Sequence, residues 1–168
     1  TNGNGVLDPG EDQDGDGDID CADDDCAEDS YCETFCHGLD LGTAVGTGVV
    51  SDDTSLLADQ VAPSSDCSSA AGGFDASYTW TPPSIGEYTF TVTGAAFDPI
   101  LSIKTSCQGE ELDCFDDPSD TAGASITMEF TSLDAVTISV DSADGNSGVF
   151  SLDITANFEA DCTDLIDN

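Results

Sequence analysis

The stretch Asp12-Gln13-Asp14-Gly15-Asp16-Gly17-Asp18-Ile19-Asp20-Cys21-Ala22-Asp23 carries the strongest chemical pattern in the chain. Carboxylates stand at positions 1, 3, 5, 9 and 12 of this loop, with Gly17 at position 6 and Ile19 at position 8. Calcium takes about six to eight oxygens on a flexible arc, and this spacing wraps them around one ion. Asp18, at position 7, would add its main-chain carbonyl, and Gly17 permits the sharp turn between the two halves of the coordination sphere. A solvated acidic linker is the competing reading, but it gives no reason for a glycine and an apolar residue to fall at these positions. The expectation is Ca2+ held by Asp12, Asp14, Asp16, Asp18, Asp20 and Asp23.

A second loop is almost complete. Asn2, Asn4, Gly5, Val6, Leu7, Asp8 and Glu11 fit positions 3, 5, 6, 7, 8, 9 and 12 of the same template, and position 1 falls ahead of Thr1. If the end of one copy is joined to the start of another, Asn168 fills it. The ligands are then Asn168, Asn2, Asn4, the carbonyl of Val6, Asp8 and Glu11. This arrangement predicts copies joined head to tail, as a tandem repeat or as successive subunits, because periodicity at domain scale marks arrays that grow in one dimension.

No comparable constellation for catalysis is present. His37 follows Cys36, but a nucleophile–base pair needs a free thiol and a third, orienting group. The neighbouring acids Asp116 and Asp117 resemble a glycosidase pair only in type, and such pairs arise by chance in a chain with 36 Asp and Glu residues against one Lys. The formal charge of −35 excludes nucleic acid and anionic membrane surfaces as partners, since phosphates need Lys and Arg. No apolar run is long enough to span a bilayer. Eight cysteines at irregular spacings, without paired CxxC knuckles or a His cluster, indicate disulfides and an oxidising, extracellular compartment. Cys107 and Cys114 enclose six residues and are expected to bond across a hairpin, leaving Cys36 and Cys67 to staple the start of the following domain.

The elements that position these groups change character along the chain. Residues 1–36 are Asp, Gly, Asn and Cys with almost nothing to bury. Residues 37–158 alternate apolar with Thr or Ser, and 159–168 open a further acidic linker. Tyr88–Thr93, Ile126–Thr131, Val136–Asp141 and Phe150–Ala156 alternate at period two, and Tyr78–Thr81 and Leu101–Lys104 do so more weakly. Each predicts a strand with one dry and one wet face, hence antiparallel sheets. Turn signals separate them at Pro82-Pro83, Gly94, Asp98-Pro99, Asp117-Pro118, Ala122-Gly123 and Asp144-Gly145-Asn146. The fold class expected is all-β: a two-sheet antiparallel β-sandwich of about eight strands behind an irregular N-terminal calcium-binding linker. Trp80, Tyr78 and Tyr88 are expected in its core, and Lys104 on a wet face as an ion partner.

Trp80-Thr81-Pro82-Pro83, Gly86-Glu87-Tyr88-Thr89-Phe90, Phe97-Asp98-Pro99-Ile100-Leu101, Cys107–Asp117 and Gly148–Ile154 follow one another in an order that resembles bacterial pre-peptidase C-terminal domains. That resemblance spans about Leu39 to Phe158 and implies a jelly-roll-like, non-catalytic module of a secreted protein, in some members a binder of matrix or polysaccharide. The Asp12–Asp23 loop resembles EF-hand loops, and more closely thrombospondin type 3 repeats, which lack helices and end on Asp. Cys162–Asn168 resembles the opening of Asp/Cys-rich repeats in large bacterial surface proteins. Together these features lead to the expectation of a calcium-stabilised structural or adhesive unit of a surface fibre, not an enzyme. Its alternative is an accessory module that brings a secreted hydrolase to extracellular matrix or glycan.

Overall fold

The structure is a computed structural model that describes residues 38–57, 61–64, 67, 73–107, 109–116, 123–143 and 145–157 of the 168-residue chain. Nine strands follow in order: β1 (Gly38–Asp40), β2 (Gly46–Asp53), β3 (Ala76–Trp80), β4 (Gly86–Thr93), β5 (Pro99–Lys104), β6 (Glu111–Phe115), β7 (Ala124–Phe130), β8 (Val136–Ser142) and β9 (Val149–Ala156). They form a five-stranded sheet in the order β1-β3-β8-β5-β6 and a four-stranded sheet in the order β2-β9-β4-β7. Every pairing is antiparallel except that of β1 with β3. Counted from β2, the two sheets hold the first, eighth, third and sixth strands and the second, seventh, fourth and fifth, which is the winding of a jelly roll.

The period-two pattern explains the core. Tyr88, Phe90 and Val92 of β4, Phe150, Leu152 and Ile154 of β9, and Tyr78 and Trp80 of β3 all point inward and are buried. Trp80 is fully buried, with edge-to-face contacts to Tyr88, Phe90 and Phe130 at centroid distances of 5.1, 5.2 and 5.5 Å, the geometry aromatic quadrupoles favour. Each buried polar tip in this cluster finds an acceptor: Trp80 Nε1 donates to the Ala44 carbonyl at 2.8 Å and the Tyr88 hydroxyl to the Ser84 carbonyl at 2.9 Å. Gly94, with φ of +63°, makes the turn out of β4 in a conformation side chains disfavour.

Three strands were not visible as alternation. β1 and β6 are short edges of the five-stranded sheet, and β2 is an edge of the other, with a register irregularity between Gly46 and Val50. Pro99, expected in a turn, opens β5. The expected wet face of Val136–Asp141 is also corrected, because all seven residues of β8 are buried, including Thr137, Ser139 and Asp141. The reason is tertiary. Residues 61–64 lie on the outer face of this sheet, with Val61 buried there and its carbonyl accepting a hydrogen bond from Ser139 Oγ at 3.4 Å. Gly73 runs so close to β8 that a Cβ there would stand 2.6 Å from that of Ser142.

The two ends of the sandwich differ in how the chain uses them. β1 runs parallel to β3 from Gly38, opposite Ser77, so the chain comes in at the end where β3 begins. β9 finishes opposite the start of β4, with Ala156 facing Tyr88 and the Asn157 amide donating to the Glu87 carbonyl at 2.8 Å. Because the 81–85 loop joins the end of β3 to the start of β4, this is the opposite end. The two points lie on the order of 10 Å apart along the strands.

Candidate functional site

Asn2, Asn4, Val6, Asp8, Glu11, Asp12, Asp14, Asp16, Asp18, Asp20, Asp23 and Asn168, the expected calcium ligands, all lie outside the described residues. His37 and Asp117 lie outside them as well. Among the described residues no group of three or more His, Cys, Asp or Glu side chains is arranged to hold a metal ion, and no helix is long and apolar enough to cross a membrane. What the sandwich itself presents is a hydroxyl-rich face, an inter-sheet tie beside a groove, and a cross-linked strap.

The face belongs to the four-stranded sheet. Register places Thr127, Thr89 and Thr155 in one row across β7, β4 and β9, and Ser125, Thr91 and Asp153 in the next. Thr89 and Thr127 share a hydrogen bond of 2.7 Å between their hydroxyls, and Thr91 and Ser125 one of 3.2 Å. Asn157 Nδ2 donates to Thr89 Oγ1 at 2.7 Å and to Glu87 Oε1 at 3.2 Å. Glu87 and Glu129 stand directly opposite each other, a like-charge pair that works against the β4–β7 ladder, while Glu129 puts a charge on the edge strand β7, which disfavours pairing with another chain.

The tie joins the two sheets. The buried Tyr78 hydroxyl, on β3, donates to Asp52 Oδ2 on β2 at 2.9 Å, and a groove of about 340 Å³ beside it is lined by Ser51, Asp52, Asp53, Val149 and Phe150. Burial first, then the hydrogen bond and the negative charge of Asp52, raise the Tyr78 phenol above its ordinary value of 10.0. Below about pH 10 both folded and unfolded chains hold this proton; above it only the folded chain does, so the folded state loses about 1.4 kcal/mol per pH unit. Tyr78→Phe is therefore expected to cost about 1–2 kcal/mol at neutral pH yet to flatten the alkaline fall in stability. Urea unfolding of both proteins from pH 8 to about pH 11.5 measures this; parallel curves for wild type and variant above pH 10 would remove Tyr78 as the cause.

The strap is where the cysteine expectation fails. Cys67 is bonded to Cys114, with a Cα–Cα distance of 5.8 Å, so neither Cys107–Cys114 nor Cys36–Cys67 forms. Cys107 is itself disulfide-bonded. The reason is register: Cys114 lies opposite Ser102, two residues inside the β5 terminus, whereas Cys107 lies beyond that terminus in the following loop. Linking residues 47 apart contributes about 4 kcal/mol in the chain-entropy account. Ser64 is clamped to Glu111 through its amide at 2.9 Å and its hydroxyl at 2.6 Å. Lys104, expected to meet a carboxylate, donates from Nζ to the Ala62 carbonyl at 2.6 Å. Sequence reasoning missed the Tyr78–Asp52 and Ser64–Glu111 contacts, and no local pattern announces either of them.

No family model matches the chain, and no curated protein matches its sequence. Among solved structures the chain is similar to the pre-peptidase C-terminal domain of a collagenase from Bacillus anthracis, seen in a 1.0 Å crystal structure. The identity is 10%, over 70% of this chain and 96% of that one, with a TM-score of 0.45.

Proposed function

We propose that the chain is a non-catalytic, extracellular structural unit, a rigid sandwich carried in series with its neighbours on calcium-bound acidic linkers. The observation that supports this best is the passage of the chain through the fold. It comes in beside the start of β3 and leaves at the opposite end beside the start of β4, so consecutive copies extend a line instead of folding back on one another. The Cys67–Cys114 bond fits an oxidising compartment. In the linkers, carboxylates at Asp12, Asp14, Asp16, Asp20 and Asp23 repel one another until calcium replaces repulsion with shared coordination. Asn168 with Asn2, Asn4, Val6, Asp8 and Glu11 would do the same where two copies meet.

The test is small-angle X-ray scattering on a chain of two consecutive copies, with calcium and with a chelator. Calcium is expected to give a rod about twice as long as one copy, and chelation a broad spread of end-to-end distances. A compact, folded-back pair in calcium, or the same profile in both conditions, would sink the proposal.

A second reading, an accessory module that docks a secreted hydrolase on matrix or polysaccharide, draws on the exposed hydroxyl rows of the four-stranded sheet. Against it, Trp80, Tyr78 and Tyr88 are buried and the exposed aromatic rings among the described residues are the phenylalanines Phe74 and Phe115, which lack the polar handle of Trp and Tyr. Co-sedimentation of a single copy with insoluble collagen or polysaccharide separates the two readings.

A further inference from the structure

The outer face of the five-stranded sheet is covered by a segment that fits it poorly. The cover is residues 61–64, tied down through Cys67. Its apolar share is Val61 and Pro63, both buried. The face beneath is polar: Thr137 and Ser139 of β8 and Ser102 of β5 are all buried. Ser102 Oγ has no hydrogen-bond partner among the described residues, and the bond from Ser139 Oγ to the Val61 carbonyl is long, at 3.4 Å. Hydroxyls held in this way are better served by water, because a buried polar group without a good partner carries its desolvation cost uncompensated. The other non-covalent fastenings, Ser64 on Glu111 and Lys104 on the Ala62 carbonyl, lie at exposed positions, where charged contacts add little.

We infer that residues 61–64 are a thiol-releasable strap, held shut over the five-stranded sheet by the Cys67–Cys114 disulfide and opened, without unfolding the sandwich, when that bond is reduced. A dithiol reductant supplies the chemistry. Its thiolate attacks one sulfur of the bond to form a mixed disulfide, and its second thiol then closes the reductant's own disulfide. This leaves thiols at Cys67 and Cys114, with two electrons and two protons passed to the protein. Both cysteines are half-buried, whereas Cys107 is buried, so this bond is the more accessible to attack. Opening hydrates Thr137, Ser139 and Ser102 and frees the Lys104 amine, which the strap's Ala62 carbonyl holds at 2.6 Å. The sandwich core lies on the other face of the same strands, in Ile138, Val140, Leu101 and Ile103, and does not depend on the strap.

Lys104 is the only lysine in the chain, so acylation of its amine reads the strap directly by mass spectrometry. The experiment compares the full-length chain with Cys67→Ser/Cys114→Ser and with Ser64→Ala/Glu111→Gln, each labelled with an amine-reactive ester, with near-ultraviolet circular dichroism of Trp80 reporting the core. The cysteine variant is expected to label at Lys104 about tenfold faster with its Trp80 signal intact. The Ser64/Glu111 variant is expected to label within about twofold of wild type, as loss of an exposed contact alone does little. Unchanged labelling in the cysteine variant overturns the inference, as does equal acceleration in the Ser64/Glu111 variant. If the cysteine variant does not fold, the native chain is titrated with dithiothreitol. Faster Lys104 labelling that precedes loss of the Trp80 signal supports the strap; labelling that rises only with that loss overturns it.

Discussion

Trp80→Ala is expected to cost the sandwich about 3–5 kcal/mol, a large part of the roughly 5–15 kcal/mol that holds a domain of this size. The indole is fully buried between the sheets and makes edge contacts with Tyr88, Phe90 and Phe130. Removing it opens a cavity that three rings, two fixed on β4 and one on β7, cannot collapse to fill. It also leaves the Ala44 carbonyl without the donor it now receives at 2.8 Å, which loosens the 41–45 loop between β1 and β2. Trp80→Phe keeps most of the volume and loses the donor, so it should fall between wild type and alanine. Thr89→Ala, on the outer face of the neighbouring sheet, removes one cross-strand hydroxyl pair and the acceptor of the Asn157 side-chain amide, both exposed, and should cost about 1 kcal/mol. Urea unfolding followed by far-ultraviolet circular dichroism ranks the three. A Trp80→Ala midpoint as close to wild type as that of Thr89→Ala would mean the aromatic cluster is not what holds the sheets together.

This contrast shows why some of the fold was legible in the sequence. β4, β7 and β9 alternate strictly because one face meets the core and the other meets water, and period two records that directly. β2 and β6 are edges, held by ladder hydrogen bonds and little burial, so Gly46–Asp53 and Glu111–Phe115 show no alternation to find. β8 alternates in sequence yet is buried on both faces, because what covers its Thr and Ser is a strap that begins 75 residues earlier, at Val61. The cysteines failed for the same reason. Cys107 and Cys114 are close in sequence, but bonding follows the β5–β6 register, and that register pairs Cys114 with Ser102. The proposed calcium loop is the opposite case. Its ligands are contiguous, so spacing alone proposes a site that lies outside the described residues.

Removing calcium, or the side chains proposed to hold it, is expected to alter the linker more than the bead. The Asp12–Asp23 stretch has five carboxylates at the positions proposed to coordinate, and two unit charges about 4 Å apart repel by about 1 kcal/mol even in water. The empty loop should therefore be open and the filled one closed. Asp14→Ala with Asp16→Ala deletes positions 3 and 5, leaving fewer oxygens than the about six to eight a calcium ion takes. Isothermal titration is expected to show one site fewer in the double variant. A ligand at about one hundred times its dissociation constant stabilises what it binds by about 2.7 kcal/mol, and chelation should abolish that difference between wild type and variant. The linker contains neither Lys nor Arg, so its state is read with a Glu- or Asp-directed protease: slow cutting before Cys36 in calcium, fast cutting in chelator, and fast cutting of the variant in both. The proposed loop completed by Asn168 would carry only Asp8 and Glu11 as charged ligands, so on stepwise chelation of joined copies it should empty first. Both steps should precede melting of the sandwich, whose described residues group no ligands for an ion. A chain that binds no calcium at extracellular, about millimolar, concentrations, or a double variant that binds as many ions as wild type, would leave the acidic segment a solvated tether and take the stiffness out of the proposed array.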